Sequence, residues 1–376
     1  MKKIWKVVVL NIILVLLVLY GFEFYLYRSL PKLPCDDYSG SYKRCNIHRV
    51  VYHFIYKKIY KEEPSVILYT WGNPVVNNSF GFREREFAIP KPDNVFRIMV
   101  LGDSLTWGAG LAVEERYTNR LEKYLNERLK GKFPKRIEVL NFGIPGGPTI
   151  AERDILRTFI DLVNPDLVIV GFCLNDPQPK SQDWSLERDR IDKYAKFFLV
   201  PIRLGFGVLH LELTASFIEK GFYKTLEKLG IIPPWYVALD RVYDKNSKEW
   251  KDFEEALKDI RDMSNKKGLP PPIFAVLNQG VYTDKPTDYR NPDDMLKLYL
   301  KWYHQAEDTA SKIGFKTVNF EKEIAEKLHD KPLAVNVLDG HPSAEVNDIY
   351  AQKLAEFIIK EYFLQGGIHN GNKGRN

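Results

Sequence analysis

Apolar and polar positions divide the chain into an apolar N-terminal run, a mixed segment, and a long region in which short apolar runs alternate with amphipathic stretches. Residues 7–27 are apolar almost throughout, and Lys2, Lys3 and Lys6 precede them. A run of this length provides the ~20 residues that cross the hydrocarbon layer as a helix. Lysines at one end favour the cytoplasmic side for that end. The pattern therefore predicts a cytoplasmic tail at 1–6, a single-pass membrane anchor at 7–27, and export of the rest of the chain.

Two other interpretations of this run stay open. A cleaved signal peptide would also be apolar, but it needs a small-residue cleavage site, and residues 22–28 contain none. A buried helix of a soluble protein is the third interpretation. Tyr20, Tyr25 and Tyr27 suit the aromatic belt at the outer interface of a membrane, which favours the anchor.

From residue 95 onward, short apolar runs that are typical of buried strands alternate with helical patterns. Strands that are apolar on both faces and alternate with helices form a parallel sheet covered on both sides. We therefore predict an α/β domain at 95–365, after a membrane-proximal segment at 28–94 and before a flexible tail at 366–376. The predicted strands are 96–101, 137–141, 166–170, 272–277 and 316–320, and the predicted helices are 117–129, 149–162, 292–313 and 343–363.

Residues 177–271 interrupt this alternation. They contain an apolar stretch at 197–200 and a helical pattern at 250–266. We interpret them as a largely helical insertion. Because doubly wound folds bind their ligands at the carboxyl edge of the sheet, we expect the insertion to cap that edge.

Composition and charge exclude several classes of protein. The chain has 376 residues, of which 45% are apolar and 28% are charged, so global disorder is excluded. Lys and Arg number 55 and Asp and Glu number 49, a net charge of +6, and the two signs are interleaved, so we expect no nucleic-acid partner. Three cysteines exclude a disulfide scaffold, and the lack of a C-x-x-C pair argues against a zinc ribbon.

The cysteines fall into two groups. Cys35 and Cys45 follow the anchor closely, and in an oxidising compartment they could form a disulfide; two free thiols are the alternative. Cys173 lies in an apolar run and is expected in the core.

Four short motifs lie where a parallel sheet presents its carboxyl edge. A serine before a helix can use the helix N-terminus to support an oxyanion, and glycines let backbone amides approach a ligand. An asparagine can donate to an oxyanion, and a histidine beside a carboxylate can take a proton. Singly, each motif is also typical of a cap or a turn. In chain order they are Gly102-Asp103-Ser104-Leu105, Asn141-Phe142-Gly143-Ile144-Pro145-Gly146-Gly147, Asn175-Asp176 and Asp339-Gly340-His341-Pro342.

Together and in this order, the motifs resemble those of the GDSL or SGNH hydrolase superfamily, over about residues 96–177 and 272–363. The resemblance implies an SGNH-like, flavodoxin-like three-layer fold. It implies that Ser104 is the nucleophile, that His341 is the general base, and that Asp339 orients the histidine.

The resemblance also implies an oxyanion hole formed by the backbone amides of Ser104 and Gly146 and the side chain of Asn175. Asp103 is expected to support the turn and not to belong to the triad. No metal and no organic cofactor is implied. The family pattern differs at two places: many members have Gly where Cys173 stands, and many have Asp-x-x-His where this chain has Asp-x-His, a spacing that also occurs in polysaccharide acetylation proteins.

Three functions are compatible with these motifs. The first is a membrane-anchored extracytoplasmic esterase acting on acylated small molecules, lipids or glycans. The second is an O-acyltransferase or deacylase that modifies cell-envelope polysaccharide. The third is a non-catalytic envelope module, which has no need of an intact Ser104, Asn175 and His341.

Overall fold

The structure is a computed structural model. It describes residues 2–29, 68–71, 73–178, 197, 199–202, 204–209, 211–232, 235–278, 292–328, 333–336 and 339–364. The predicted Cys35–Cys45 disulfide and the predicted tail at 366–376 lie outside these residues. All statements below refer to the described part of the chain.

The order of elements follows the predicted alternation closely. The strands are β1 (Leu68–Thr70), β2 (Asn73–Val75), β3 (Val95–Gly102), β4 (Arg136–Asn141), β5 (Leu167–Phe172), β6 (Ile273–Val276), β7 (Lys316–Asn319), β8 (Ala334–Asn336) and β9 (Asp339–Pro342). The helices are α1 (Lys2–Ser29), α2 (Ser104–Trp107), α3 (Tyr117–Leu129), α4 (Thr149–Val163), α5 (Glu212–Lys228), α6 (Trp235–Val242), α7 (Lys248–Lys266), α8 (Pro292–Ile313), α9 (Glu321–Lys327) and α10 (Ala344–Ile358).

Five parallel strands form the central sheet in the order β4-β3-β5-β6-β7. Two antiparallel hairpins, β1-β2 and β8-β9, lie outside it. After β3 the chain adds β4 on one side of it, and then adds β5, β6 and β7 in turn on the other side. This is the strand order of a doubly wound sheet whose switch point lies between β3 and β5. The predicted three-layer α/β fold is confirmed.

Helices cover both faces of this sheet. Alternate side chains of a strand point to opposite faces, and in β3 Ile98 and Val100 pack with α3 and α10. Met99 and Leu101 point the other way and pack with α4, α7 and α8. Every residue of β3 and β5 is buried. For this reason the sequences of these strands are mostly apolar on both faces and do not alternate with polar residues.

Two segments pack more closely with the sheet than the sequence suggested. The helix α7 falls within 177–271, yet Trp250, Phe253 and Leu257 lie in the same core cluster as β5 and β6. This helix, which lies between β5 and β6 in the chain, therefore covers one face of the sheet, while the capping role of 177–271 as a whole stays a prediction. Phe82, from the membrane-proximal segment, is buried in the same cluster.

The N-terminal helix α1 contains an apolar stretch from Trp5 to Leu26, 22 residues with a mean hydropathy of 2.5. By length and composition this helix could cross a membrane, and a signal sequence would meet the same criteria. Its C-terminal end contacts the domain: Leu26 is buried against Trp71 and Leu213.

Candidate active site

The carboxyl end of β3 presents Ser104. The strand ends at Gly102, and Ser104 is the first residue of α2. Asp103 caps this short helix, since its Oδ1 accepts a hydrogen bond of 2.9 Å from the Leu105 amide. Its other oxygen lies 3.3 Å from the Ser104 hydroxyl. Asp103 thus supports the turn, the role that the sequence analysis gave it.

The β8-β9 hairpin brings His341 to this serine. His341 Nε2 lies 2.9 Å from Ser104 Oγ, and its Nδ1 makes a short hydrogen bond with Asp339 Oδ1. The same carboxylate oxygen accepts the backbone N–H of His341 at 3.0 Å. Two donors of one residue therefore converge on one oxygen, which is possible because Asp339 and His341 are only two positions apart. The structure brings all three predicted triad residues together.

Trp71 was not identified by the sequence analysis, yet it contacts the site. Its indole Nε1 donates to the second oxygen of Asp339 at 2.5 Å. Trp71 forms the tight turn between β1 and β2 with a φ of 49°, and its side chain is 7% exposed. Asn336 Oδ1 accepts the Asp339 backbone N–H at 3.0 Å. Trp71 and His341 therefore hold one carboxylate oxygen each, Asn336 holds the backbone of the same residue, and Trp71 is a positioning residue for the carboxylate.

The loop after β4 carries Gly146, one predicted oxyanion donor. The loop lies against β3 and α2, because the Ile144 amide donates to Gly102 O at 3.0 Å. Gly143 has no room for a side chain: a Cβ there would lie 2.5 Å from the Trp107 amide nitrogen. Gly146 itself has a φ of 68°, a conformation that glycine adopts without strain. The loop thus lies at the same sheet edge as Ser104.

Asn175, the other predicted donor, lies in the turn after β5. Its side chain lies close enough to the Asp103 carboxylate to act against the rise of that group's pKa, so it is near the residue that precedes the serine. Asp176 holds this turn, since its Oδ2 accepts the Cys173 amide at 2.9 Å. The Asp176 carbonyl also accepts the Thr149 amide at the start of α4. One residue therefore links the turn of Asn175 to the helix that follows the Gly146 loop.

The electrostatic surroundings favour a charged imidazolium at His341. Burial alone would lower the pKa of His341, but the charge and hydrogen bond of Asp339 and the charge of Asp103 outweigh it, so this pKa is raised above its ordinary value of 6.5. Burial raises the pKa of Asp103, against the hydrogen bond from Leu105. A base whose protonated form is stabilised by a carboxylate can hold the proton that it takes from a serine.

A second group of acidic side chains is buried behind the site. Glu152 is fully buried, and neither of its carboxylate oxygens has a hydrogen-bond partner among the described residues. Burial and the neighbouring carboxylates raise the pKa of Glu152 and of Asp176 well above their ordinary values. Both carboxyl groups therefore hold their protons to a higher pH than a carboxyl group in water does. Within the described ranges, no three His, Cys, Asp or Glu side chains form a group that could hold a metal ion.

One family model and several solved structures are similar to this chain. The model of the GDSL-like Lipase/Acylhydrolase family matches residues 100–349. No curated protein matches the chain at a significant level. An alpha/beta hydrolase enzyme from the metagenome of Lake Arreo is similar at 13% identity and a TM-score of 0.40, over 69% of this chain and 94% of that one. An acetylxylan esterase from Geobacillus stearothermophilus is similar at 14% identity and a TM-score of 0.38, over 70% of this chain and 94% of that one.

The family match includes both Ser104 and His341 and spans the central sheet from β3 to the start of α10. The resemblance that the four motifs predicted is therefore confirmed: the chain belongs to the GDSL-like Lipase/Acylhydrolase family and is an ester-hydrolysing enzyme.

Proposed function

We propose that this protein is a membrane-anchored, extracytoplasmic serine esterase that works through an acyl-enzyme. One observation carries the proposal: the side chains of Ser104, His341 and Asp339 form one continuous hydrogen-bonded line. A nucleophile, a base and a group that orients the base are the parts that ester cleavage by a serine requires.

The first half of the reaction transfers the acyl group to the enzyme. His341 Nε2 takes the proton of the Ser104 hydroxyl while Ser104 Oγ attacks the ester carbonyl carbon. The tetrahedral oxyanion accepts hydrogen bonds from the amides of Ser104 and Gly146 and from the Asn175 side chain. The C–O bond then breaks, and His341 gives its proton to the leaving alcohol. Removing one such oxyanion donor typically costs ~10²–10³ in turnover.

The second half releases the acid. A water molecule gives a proton to His341 and attacks the acyl carbon, and the imidazolium returns that proton to Ser104 as the acyl–enzyme bond breaks. Asp339 keeps the Nδ1–H tautomer throughout, because its Oδ1 accepts that hydrogen. While this occurs, Trp71 donates to the Asp339 carboxylate and Asn336 accepts the Asp339 backbone N–H.

Two observations support the proposal that α1 anchors the chain in the membrane and that the domain lies outside the cytoplasm. Lysines precede the apolar stretch, which favours retention of that end in the cytoplasm. The other end is bonded to the domain: the Glu23 carboxylate accepts the backbone N–H groups of Leu213 and Thr214. Cleavage after α1 would leave these two amides without their acceptor, which favours an uncleaved helix.

Active-site labelling tests the chemistry. The full-length protein in detergent should hydrolyse p-nitrophenyl acetate and should form a stable fluorophosphonate adduct on Ser104. Ser104→Ala should abolish both, leaving at most the small residual rate that binding and the oxyanion hole supply. Ser247→Ala, which alters the N-cap of α7 and none of the proposed catalytic groups, is the matched control and should retain activity. An adduct that maps to another serine would contradict the assignment.

Fractionation tests the location. The intact chain should remain with the membrane after carbonate extraction, and protease added from outside should digest the domain but not the N-terminal lysines. Recovery of a soluble, shortened protein would show that α1 is a cleaved signal sequence.

A further inference from the structure

A second apolar helix lies beside the anchor. The described residues of the segment 199–208 are helical and mostly apolar, and ten residues are too few to cross a bilayer. Helices of this length and apolarity are usually buried in a core or lie in a membrane interface. This one is buried only at its start: Leu199 is 3% exposed, whereas Leu204 and Val208 are 67% and 77% exposed.

Two contacts fix the level of this segment along α1. The Tyr20 hydroxyl donates to Leu209 O at 2.8 Å, and the rings of Phe22 and Phe217 meet edge to face with centroids 5.2 Å apart. From Tyr20 to Leu26, the end of the apolar stretch, the helix rises about 9 Å at ~1.5 Å per residue. If α1 crosses the bilayer, Leu209 therefore lies below the outer end of the membrane-spanning stretch.

Glu23 makes this arrangement rigid. It is a carboxylate within an apolar helix, which is costly in a membrane unless its oxygens are bonded. Both oxygens are bonded: they accept the amides of Leu213 and Thr214 and the Thr214 hydroxyl at 2.6–3.0 Å. These amides belong to the first turn of α5, so Glu23 caps that helix although the two lie about 190 residues apart in the sequence. The anchor and α5 are thus one structural unit.

We propose that an apolar surface beside α1 docks on the lipid bilayer, so that the site acts on lipid esters held at the membrane. We call it the membrane-facing surface; its exposed side chains are Phe197, Val200, Leu204, Val208, Phe217 and Ile218. The proposal rests on the proposed anchoring by α1. Its occupant is a bilayer because the surface continues directly from the helix that would cross that bilayer, at a level below the helix's outer end.

The same contacts lead from the anchor to the nucleophile. Leu26 packs on Trp71, Trp71 donates to Asp339, and His341 joins that carboxylate to Ser104. Four consecutive contacts therefore join the outer end of the anchor to the nucleophile. An anchor that crosses the bilayer would thus hold Ser104 near the membrane surface, where lipid esters are found.

Photocrosslinking tests the docking. Full-length protein in phosphatidylcholine vesicles carries benzoylphenylalanine at position 204 or 208, or at a control position, and lipid adducts are quantified by mass spectrometry. Leu364 is the matched control, because it is 73% exposed but follows Phe363, which packs on Phe96 at the amino end of β3, opposite the end that carries Ser104. We expect adducts at 204 and 208 to exceed those at 364 about tenfold, as for an interfacial helix.

The crosslinking outcomes separate docking from anchoring and from catalysis. Benzoylphenylalanine at Leu14, in the middle of α1, reports anchoring alone. Adducts at 14 with none at 204 or 208 above the control would overturn docking and leave the anchor intact. No adducts at 14 would overturn both. Crosslinks from 204 and 208 to a second copy of this chain would show that a protomer covers the surface and would also overturn the proposal. None of these readouts requires ester hydrolysis.

Kinetics test the substrate class. The double variant Leu204→Glu with Val208→Glu should keep kcat/KM on soluble p-nitrophenyl acetate within about twofold and should lose about tenfold on a long-chain ester embedded in vesicles. Leu364→Glu should change neither rate. Equal losses on both substrates, or no loss on the embedded ester, would contradict a role of this surface in presenting lipid esters.

Discussion

Asp339→Asn should lower kcat/KM by ~10³–10⁴, the upper value being that of the corresponding change in a serine-protease triad. The reason lies in the donors around this side chain. An asparagine has one oxygen and one NH₂ group where Asp339 has two acceptors. Trp71 donates to one oxygen at 2.5 Å, and the His341 backbone N–H donates to the other at 3.0 Å. Either orientation of the amide therefore places an NH₂ group against a donor.

The closer donor decides the orientation. Trp71 Nε1 is an obligate donor and lies nearer, so the amide oxygen should face it and the NH₂ group should face His341. The imidazole must then accept at Nδ1 and carry its proton on Nε2, where it cannot take the proton of Ser104. The bias corresponds to one hydrogen bond, about 1–2 kcal/mol, which is about 5–30-fold in rate. The rest of the expected loss comes from the carboxylate charge, which no longer stabilises the imidazolium that forms at His341.

The double variant Trp71→Phe with Asp339→Asn should therefore be about ten times more active than Asp339→Asn alone, at ~1.4 kcal/mol per tenfold change. Without the indole N–H, the amide can turn its oxygen to His341 and restore the useful tautomer. Trp71→Phe by itself should be harmful, by about tenfold, because it removes a hydrogen bond to a carboxylate.

The assay is kcat/KM on p-nitrophenyl acetate, with active sites counted by fluorophosphonate and folding checked by circular dichroism. Trp250→Phe in the Asp339→Asn background is the matched control, because Trp250 is also buried and donates to a carboxylate, but that of Glu254 and not that of residue 339. It should give no rescue. A Trp71→Phe, Asp339→Asn protein that is no more active than Asp339→Asn would refute this reasoning.

Three further predictions concern titration and covalent structure. Because the pKa of His341 is raised and only the neutral imidazole accepts a proton, kcat/KM should fall as the pH drops through a value above 6.5, and Asp339→Asn should move this limb to lower pH; a pH–rate profile measures both. The buried Glu152 has a raised pKa, so the folded state binds its proton more tightly than the unfolded state and loses stability as the pH rises above the unfolded value of about 4.5. Glu152→Gln should therefore raise the thermal midpoint at pH 8 and leave it nearly unchanged at pH 4; a variant that is destabilised at both would contradict a retained proton. Non-reducing peptide mapping should find Cys35 and Cys45 linked, whereas two alkylatable thiols in fresh protein would exclude the disulfide.

The sheet and the positions of the motifs could be predicted because they depend on local patterns. Buried strands such as β3 and β5 are apolar on both faces, so their ends, and the motifs that follow them, can be located in the sequence. Ser104 and Asn175 stand at such ends. The order of the strands then brings them to one edge.

The contacts that escaped prediction join distant parts of the chain through single polar groups. Trp71 precedes the predicted domain boundary, and nothing in its neighbourhood indicates that its indole meets Asp339, 268 positions later. Glu23 looks like an isolated charge in an apolar run, and only the fold reveals the helix that it caps. The amphipathic pattern of α7 is the same for a capping helix and a crossover helix, so periodicity alone could not assign it to the sheet.

The separation of nucleophile and base along the chain affects when activity can appear during biosynthesis. Ser104 and His341 are 237 positions apart, and the base is made last. At ~5–20 residues per second, the ribosome needs roughly 10–50 s to progress from one to the other. In the proposed mechanism, a nascent chain lacks the group that deprotonates its serine for all of that time. Ester turnover would then begin only after the β8-β9 hairpin has docked, and specific activity would report the fraction of molecules that have completed folding.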